Sequence, residues 1–125
     1  MKIARFAADG RTAFGIVESD QVQVLAGVPW ESLTLTGEAL PLAAVKLLAP
    51  VEPPDVFAIG LNYKPHAEES GFQTPAAPVV FLKAGSSVIG PDESVVLPAM
   101  APDEVDYEAE LVVVIGRACA PGRSG

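Results

Sequence analysis

The chain has 125 residues, half of them hydrophobic, and a net charge of -8 from 16 acidic and 8 basic side chains. This length suits one small domain, or a small domain joined to part of a larger one. The acidity, without a cluster of Lys or Arg, argues against nucleic acid or an anionic membrane as a partner. No apolar run reaches the roughly 18 residues of a spanning helix, and the single cysteine, Cys119, excludes an internal disulfide. We therefore expect a soluble, cytoplasmic protein.

The first 50 residues predict a small β domain. Two apolar alternations are separated by the hairpin-type turn Asp9-Gly10-Arg11, and Ser19-Asp20 leads into a third strand at 21–25. Leucines and valine at 40–48, with Pro41 suited to a first helical turn, predict a short helix over 41–48. The cluster Pro50-Val51-Glu52-Pro53-Pro54 would end this helix. It also predicts a domain boundary, because adjacent prolines favour extended linkers.

Beyond this boundary, residues 51–125 predict further strands separated by polar segments. Strand-like patterns occupy 56–60, 79–83 and 94–97, and Gly90-Pro91-Asp92 predicts a turn before the third of them.

Two glutamates separated by one residue, Glu108 and Glu110, lead into the apolar run 111–116. In a strand, side chains two apart share a face at a spacing of about 7 Å, so that both carboxylates can reach one cation. Both alternating rows of the run are apolar, which predicts a strand buried on both faces. Carboxylates entering such a strand need compensation, which a divalent ion provides. The alternative is a strand whose first residues lie in solvent.

His66, the only histidine, and Glu69 lie on a predicted short helix between Pro65 and Gly71. Residues three apart share a helical face, and a carboxylate beside an imidazole suits a base that takes a proton from water. The alternative is a surface helix with an incidental acidic neighbour. Lys83 ends a predicted strand and is followed by Gly85-Ser86-Ser87. A lysine followed by small and hydroxyl residues can bind an anionic substrate group. The alternative is a solvated lysine beside an ordinary loop.

Taken in order, these motifs resemble the fumarylacetoacetate hydrolase family, most closely its bacterial 2-hydroxyhepta-2,4-diene-1,7-dioate isomerases and acylpyruvate hydrolases. The resemblance covers about residues 50 to 118 well and the N-terminal strands more loosely. The motifs are Ala58-Ile59-Gly60-Leu61-Asn62-Tyr63, His66-Ala67-x-Glu69, Val80-Phe81-Leu82-Lys83, Gly90-Pro91 with Val95-Val96-Leu97-Pro98, and Val105-Asp106-Tyr107-Glu108-x-Glu110-Leu111 with Val114-Ile115-Gly116.

The resemblance implies an enzyme that acts on a small 2-oxo acid or dicarboxylate through a metal-stabilised enolate. Isomerisation, decarboxylation and hydrolytic carbon-carbon cleavage all pass through that intermediate, and aromatic compound catabolism is the expected setting. Glu108 and Glu110 match two ligands of Mg²⁺, Mn²⁺ or Ca²⁺. His66 and Glu69 match a pair that activates water. Lys83 and Tyr63 match residues near the substrate.

The implied fold is α+β and β-rich: a small N-terminal β domain over 1–50, then part of the family's mixed β-sheet roll over 51–125. The resemblance also implies a homodimer. Leu61 departs from the family, because many relatives have arginine there. The chain stops before the third metal ligand, so that it looks like an N-terminal half that is inactive alone. The alternatives are a non-catalytic scaffold or assembly module and an autonomous small domain without a metal.

Overall fold

The computed structural model describes residues 1–73 and 75–118, and it confirms a strand-rich α+β chain with two sheets and little helix. Seven strands occur in chain order: β1 Lys2–Ala8, β2 Arg11–Glu18, β3 Gln21–Leu25, β4 Leu35–Pro41, β5 Lys46–Leu47, β6 Asp55–Gly60 and β7 Val79–Ala84. The helical elements are α1 Lys64–Glu69 and two 3₁₀ turns, Leu42–Ala44 and Gly85–Ser87.

The first five strands form an antiparallel sheet in the order β4-β3-β2-β1-β5. The predicted N-terminal meander is therefore confirmed, and β4 and β5 extend it. The β1–β2 hairpin closes through Asp9 and Gly10, which have φ of 50° and 73°. Positive φ at both central residues gives a turn whose twist matches that of the flanking strands, which explains the Asp-Gly pair.

The core of this sheet consists of Phe6, Val22 and Val24, which are 0–2% exposed. A Cβ on Gly15 of β2 would lie 2.3 Å from Cγ1 of Val22 and 2.8 Å from the carbonyl oxygen of Gln23. Glycine is required there because the core side chain occupies the space above the strand.

The predicted helix over 41–48 is wrong. Pro41 ends strand β4, a single 3₁₀ turn follows, and Lys46–Leu47 pairs with β1 at Phe6 and Ala7. Four apolar residues of this segment pack against the core. They are spaced two apart within each pair, the spacing of strand residues on one face: Leu40 and Leu42, then Val45 and Leu47. Tertiary packing therefore overrides a local pattern that also suited a helix.

A second, two-stranded sheet consists of β6 and β7, paired from Asp55 opposite Ala84 to Gly60 opposite Val79. Both strands and the short helix α1 between them were predicted and are confirmed. One face of this hairpin is apolar and open, with Phe57 72% and its cross-strand neighbour Leu82 62% exposed.

Two further strand predictions are wrong. Residues 94–97 and the glutamate segment, residues 105–116, have no regular secondary structure. Leu111 to Ile115 are 47–82% exposed rather than buried on both faces. The described part of the chain contains no strand paired with this segment, and an unpaired strand lacks the hydrogen bonds that would define it.

The predicted turn is present, because the Glu93 amide donates to the Gly90 carbonyl at 3.3 Å. The described residues form two compact units: one comprises Met1–Val51 and the described residues from Ile89 onward, and the other Glu52–Val88. No helix within 1–73 and 75–118 is long and apolar enough to cross a membrane. Cys119 lies outside the described residues.

Candidate active site

Helix α1 is a single, well-terminated turn that carries His66 and Glu69. Pro65 lies in its first turn, and Gly71 ends it with φ of +72°, its amide donating to Glu68 at 3.1 Å. A left-handed glycine after the last turn is a common helix stop. Ala67 is fully buried, whereas His66 and Glu69 are exposed. The helix is thus anchored through Ala67 and presents the imidazole and the carboxylate, three residues apart, to solvent.

The connection from β6 to α1 passes through a strained residue. Leu61 has φ of +53°, a left-handed conformation that is unusual for a bulky side chain without glycine's freedom. Such strain is found at functional sites, where surrounding structure maintains it. The sequence identified Leu61 only as a departure from the family's arginine. Its positive φ was not predicted, because no local sequence pattern indicates a left-handed backbone at leucine.

Lys83 lies on β7 opposite Val56 of β6. Its Nζ is 5.7 Å from the centre of the Phe81 ring, two residues back on the same face of the strand. This is cation–π distance, so the exposed ammonium group is held beside the ring. A positioned, solvent-accessible cation of this kind suits recognition of a carboxylate.

The loop after Lys83 uses its polar groups locally. The Ser87 hydroxyl donates to the Ala84 carbonyl at 2.7 Å. The Gly85 amide donates to the Pro54 carbonyl at 3.1 Å, and a Cβ on Gly85 would lie 2.0 Å from the Pro53 carbonyl oxygen. Gly85 is therefore a close-packing position for the proline cluster. Sequence reasoning missed this role because the contacting prolines lie some thirty positions earlier in the chain.

Glu108 and Glu110 are exposed residues of the glutamate segment. Five carboxylates lie within eight residues at the start of this segment and just before it: Asp103, Glu104, Asp106, Glu108 and Glu110. Within residues 1–73 and 75–118, no group of three His, Cys, Asp or Glu side chains is arranged to hold a metal ion. The donor chemistry nevertheless fits Mg²⁺ or Mn²⁺, since carboxylate oxygens suit these ions and Mg²⁺ commonly takes one or two carboxylates together with substrate oxygens and water.

The predicted site residues divide between the two units. Tyr63, His66, Glu69 and Lys83 belong to the unit Glu52–Val88, and the two glutamates belong to the other unit. Helix α1 also carries an ion pair between neighbouring turns, because Lys64 Nζ lies 3.7 Å from Glu68 Oε1. The helix thus carries charges of both signs around its histidine.

Comparison with protein families matches both parts of the sequence. Residues 1–50 match the model "Rv2993c-like, N-terminal", and residues 55–122 match the model "Fumarylacetoacetate (FAA) hydrolase C-terminal". The second match spans more than half of the chain and includes every predicted site residue.

Individual relatives agree with these models. The chain is 40% identical over 126 residues to Protein Rv2993c of Mycobacterium tuberculosis, covering 95% of this chain and 47% of that protein. It is 40% identical over 99 residues to the mitochondrial oxaloacetate tautomerase FAHD2A of Homo sapiens, covering 78% of this chain and 31% of that protein.

Among solved structures, the 2-hydroxyhepta-2,4-diene-1,7-dioate isomerase from Mycobacterium marinum superposes with a TM-score of 0.58 at 31% identity. That match covers 71% of this chain and 34% of the isomerase. The chain therefore spans less than half the length of these relatives.

Proposed function

Because the chain belongs to the fumarylacetoacetate hydrolase family, we propose that it serves in a divalent-metal-dependent enzyme that shifts a proton next to the keto group of a small 2-oxo acid. The observation that carries the proposal is the pair of exposed carboxylates one residue apart, Glu108 and Glu110, in a family member that also has His66, Glu69 and Lys83. The relatives named as an oxaloacetate tautomerase and a dienedioate isomerase support this class of reaction.

Glu108 and Glu110 would hold the cation. Five carboxylates within eight residues repel one another, and a bound Mg²⁺ or Mn²⁺ relieves that repulsion. When bound, the cation supplies a Lewis acid that draws electron density from the keto oxygen as negative charge develops on the adjacent carbon. The two side chains would therefore compensate the charge of the cation and fix its position.

His66 would exchange the proton. An imidazole accepts and releases a proton near neutral pH, and the exposed position of His66 on α1 gives a substrate access to the ring. Glu69, one turn away, would orient the ring and stabilise its charged form. Lys83, held beside Phe81, would pair with a substrate carboxylate, and Tyr63 would line the pocket.

A second candidate is hydrolytic carbon-carbon cleavage of an acylpyruvate. The proximity in sequence of His66 and Glu69 on one helical turn favours it, because such a pair can take a proton from water as the oxygen attacks the acyl carbonyl. The carbon-carbon bond then breaks, and its electron pair leaves on the pyruvate part, which takes up the proton. Tautomerisation needs the same base but no water.

The carboxylate pair is tested by Mn²⁺ binding to the chain, with free Mn²⁺ counted by electron paramagnetic resonance. Glu110→Gln should weaken binding by at least the roughly tenfold loss that changes around metal ligands produce. Glu104→Gln is the matched control, because it removes the same charge from the same run of five carboxylates without removing a proposed ligand. Equal affinities for these two variants would show general attraction to an acidic segment rather than ligation.

The reaction is tested in the whole protein with His66→Ala. Loss of oxaloacetate enol formation, followed by ultraviolet absorbance, supports the proton shift. Loss of pyruvate release from an acylpyruvate, with enol formation retained, supports the hydrolytic candidate. Full activity in both assays would exclude His66 as the base, and an inactive wild-type protein that binds no Mn²⁺ would favour a non-catalytic scaffold.

A further inference from the structure

Gly116, at the end of the glutamate segment, lies against the only tryptophan of the chain. A Cβ on Gly116 would be 3.0 Å from the Trp30 Cβ and 3.8 Å from its Cγ. The first distance is shorter than about nine in ten real Cβ contacts, and the opposing atom is attached directly to the backbone. A side chain at position 116 would therefore require the segment or Trp30 to shift by a few tenths of an ångström.

Trp30 is itself fixed to the N-terminal sheet. Its ring makes an edge-to-face contact with Phe14 of β2, with centroids 5.5 Å apart and planes at 79°. The turn that carries it is closed by the amides of Glu31 and Ser32, which donate to the Val28 carbonyl at 3.1 and 3.2 Å. Aromatic pairs in this geometry contribute stabilisation in addition to that from the apolar area they bury. Gly116 thus meets a rigid surface of the five-stranded unit.

The contact limits the freedom of the two glutamates. On their C-terminal side, Gly116 lies six residues beyond Glu110, a reach of about 20 Å when extended. A segment held near its C-terminal end by this contact has fewer conformations than one without it, so less entropy is lost when its carboxylates are fixed on an ion.

We infer that Trp30 is a positioning residue: it receives Gly116 and thereby restricts the conformations of the glutamate segment, which lowers the entropy lost when the segment binds a divalent cation. The inference rests on the proposed role of Glu108 and Glu110 as ligands. It assigns a function in the metal site to the N-terminal sheet, which carries none of the proposed ligands.

The contact is tested first without metal, by acrylamide quenching of the single tryptophan. Gly116→Val should increase quenching of Trp30 and shift its emission to the red, because the added side chain displaces the segment. Gly27→Val is the matched control, since a Cβ on Gly27 meets nothing within 4 Å. Unchanged quenching in a folded Gly116→Val chain would overturn the inference.

The positioning role is then tested by Mn²⁺ binding. Gly116→Val should weaken the affinity about threefold or more, the size typical of coupling through a packed contact, whereas Gly27→Val should not. Wild-type emission should also change as Mn²⁺ binds, a signature that a merely structural contact would not give.

Trp30→Ala keeps the Cβ that faces Gly116 but removes the Cγ and the ring that packs on Phe14, and Trp30→Phe should restore affinity by keeping a ring against Phe14. These two Trp30 variants take the place of Gly116→Val in the binding test if Gly116→Val does not fold. Equal Mn²⁺ affinity in wild type, Gly116→Val and Trp30→Ala would refute positioning but leave Glu108 and Glu110 as ligands. Absence of Mn²⁺ binding to wild type would refute the ligand proposal itself, and with it the inference.

Discussion

Replacing Gly85 by alanine tests how Pro53 and Pro54 pack within the unit that carries His66 and Lys83. The new Cβ would lie 2.0 Å from the Pro53 carbonyl oxygen, 2.6 Å from that of Pro54 and 2.9 Å from the Pro54 carbonyl carbon. All three are backbone atoms, so rotation of a side chain cannot relieve the clash. The backbones must separate by about 1.4 Å to reach an ordinary contact of 3.4 Å.

The expected cost follows from these distances. Overpacking of this kind costs about 1–3 kcal/mol, and separation also weakens the hydrogen bond from the Gly85 amide to Pro54, which is worth about 1 kcal/mol. Alanine restricts the unfolded chain, which offsets about 0.4–1 kcal/mol. We expect Gly85→Ala to lower the free energy of unfolding by about 2 kcal/mol, the middle of the range these values give.

Gly60→Ala is the matched control in the same unit, Glu52–Val88. Its Cβ would lie 3.6–3.8 Å from side-chain atoms of Val79 and Phe81, which is ordinary contact, so stability should be unchanged or slightly raised. Urea unfolding followed by far-UV circular dichroism gives the free energies, and hydrogen exchange of peptides within 52–88 assigns the loss to this unit. Equal unfolding midpoints for the two variants would refute the close-packing role of Gly85.

Two further predictions concern Leu61 and Glu93. Leu61→Asn should raise the free energy of unfolding by up to about 1 kcal/mol, because asparagine tolerates the left-handed backbone at φ +53°; a loss of stability in urea would show that contacts of the leucine side chain outweigh the strain. The Gly90 amide at 2.8 Å and, secondarily, the ammonium group of Lys46 at 3.3 Å lower the pKa of Glu93 from its ordinary 4.5. A pKa that is lower in the folded chain stabilises the fold above 4.5, and this contribution is lost as the pH falls through the folded value. The Tm difference between wild type and Glu93→Gln should therefore be largest above that pH and shrink in acid, and a difference that grows in acid would contradict the assigned cause.

Sequence reasoning located the elements that depend on neighbours in the chain. The Asp9-Gly10 turn and the stop at Gly71 follow from local backbone preference, and both occur as predicted. The β6 and β7 strands were recognisable because each is a short apolar run bounded by turn residues.

The errors arose where distant residues decide the conformation. Leu40 to Leu47 form strands and a turn because they pack on Phe6 and Val22, which a local pattern does not contain. Residues 105–116 have a strand's composition but belong to neither sheet of the described chain. The conformation of Leu61 and the contacts of Gly85 and Gly116 likewise depend on residues far along the sequence or on local strain.

The exposed run Leu111 to Ile115 has a consequence for handling the protein. Five consecutive β-branched or leucine side chains, 47–82% exposed and without a proline or charge, form a sequence prone to intermolecular β-aggregation. Glu110 before the run and Arg117 after it act as gatekeepers, since charges flanking such a run oppose stacking of copies. A cation bound by the glutamates would neutralise one gatekeeper, so that metal loading and colloidal stability oppose each other in this segment.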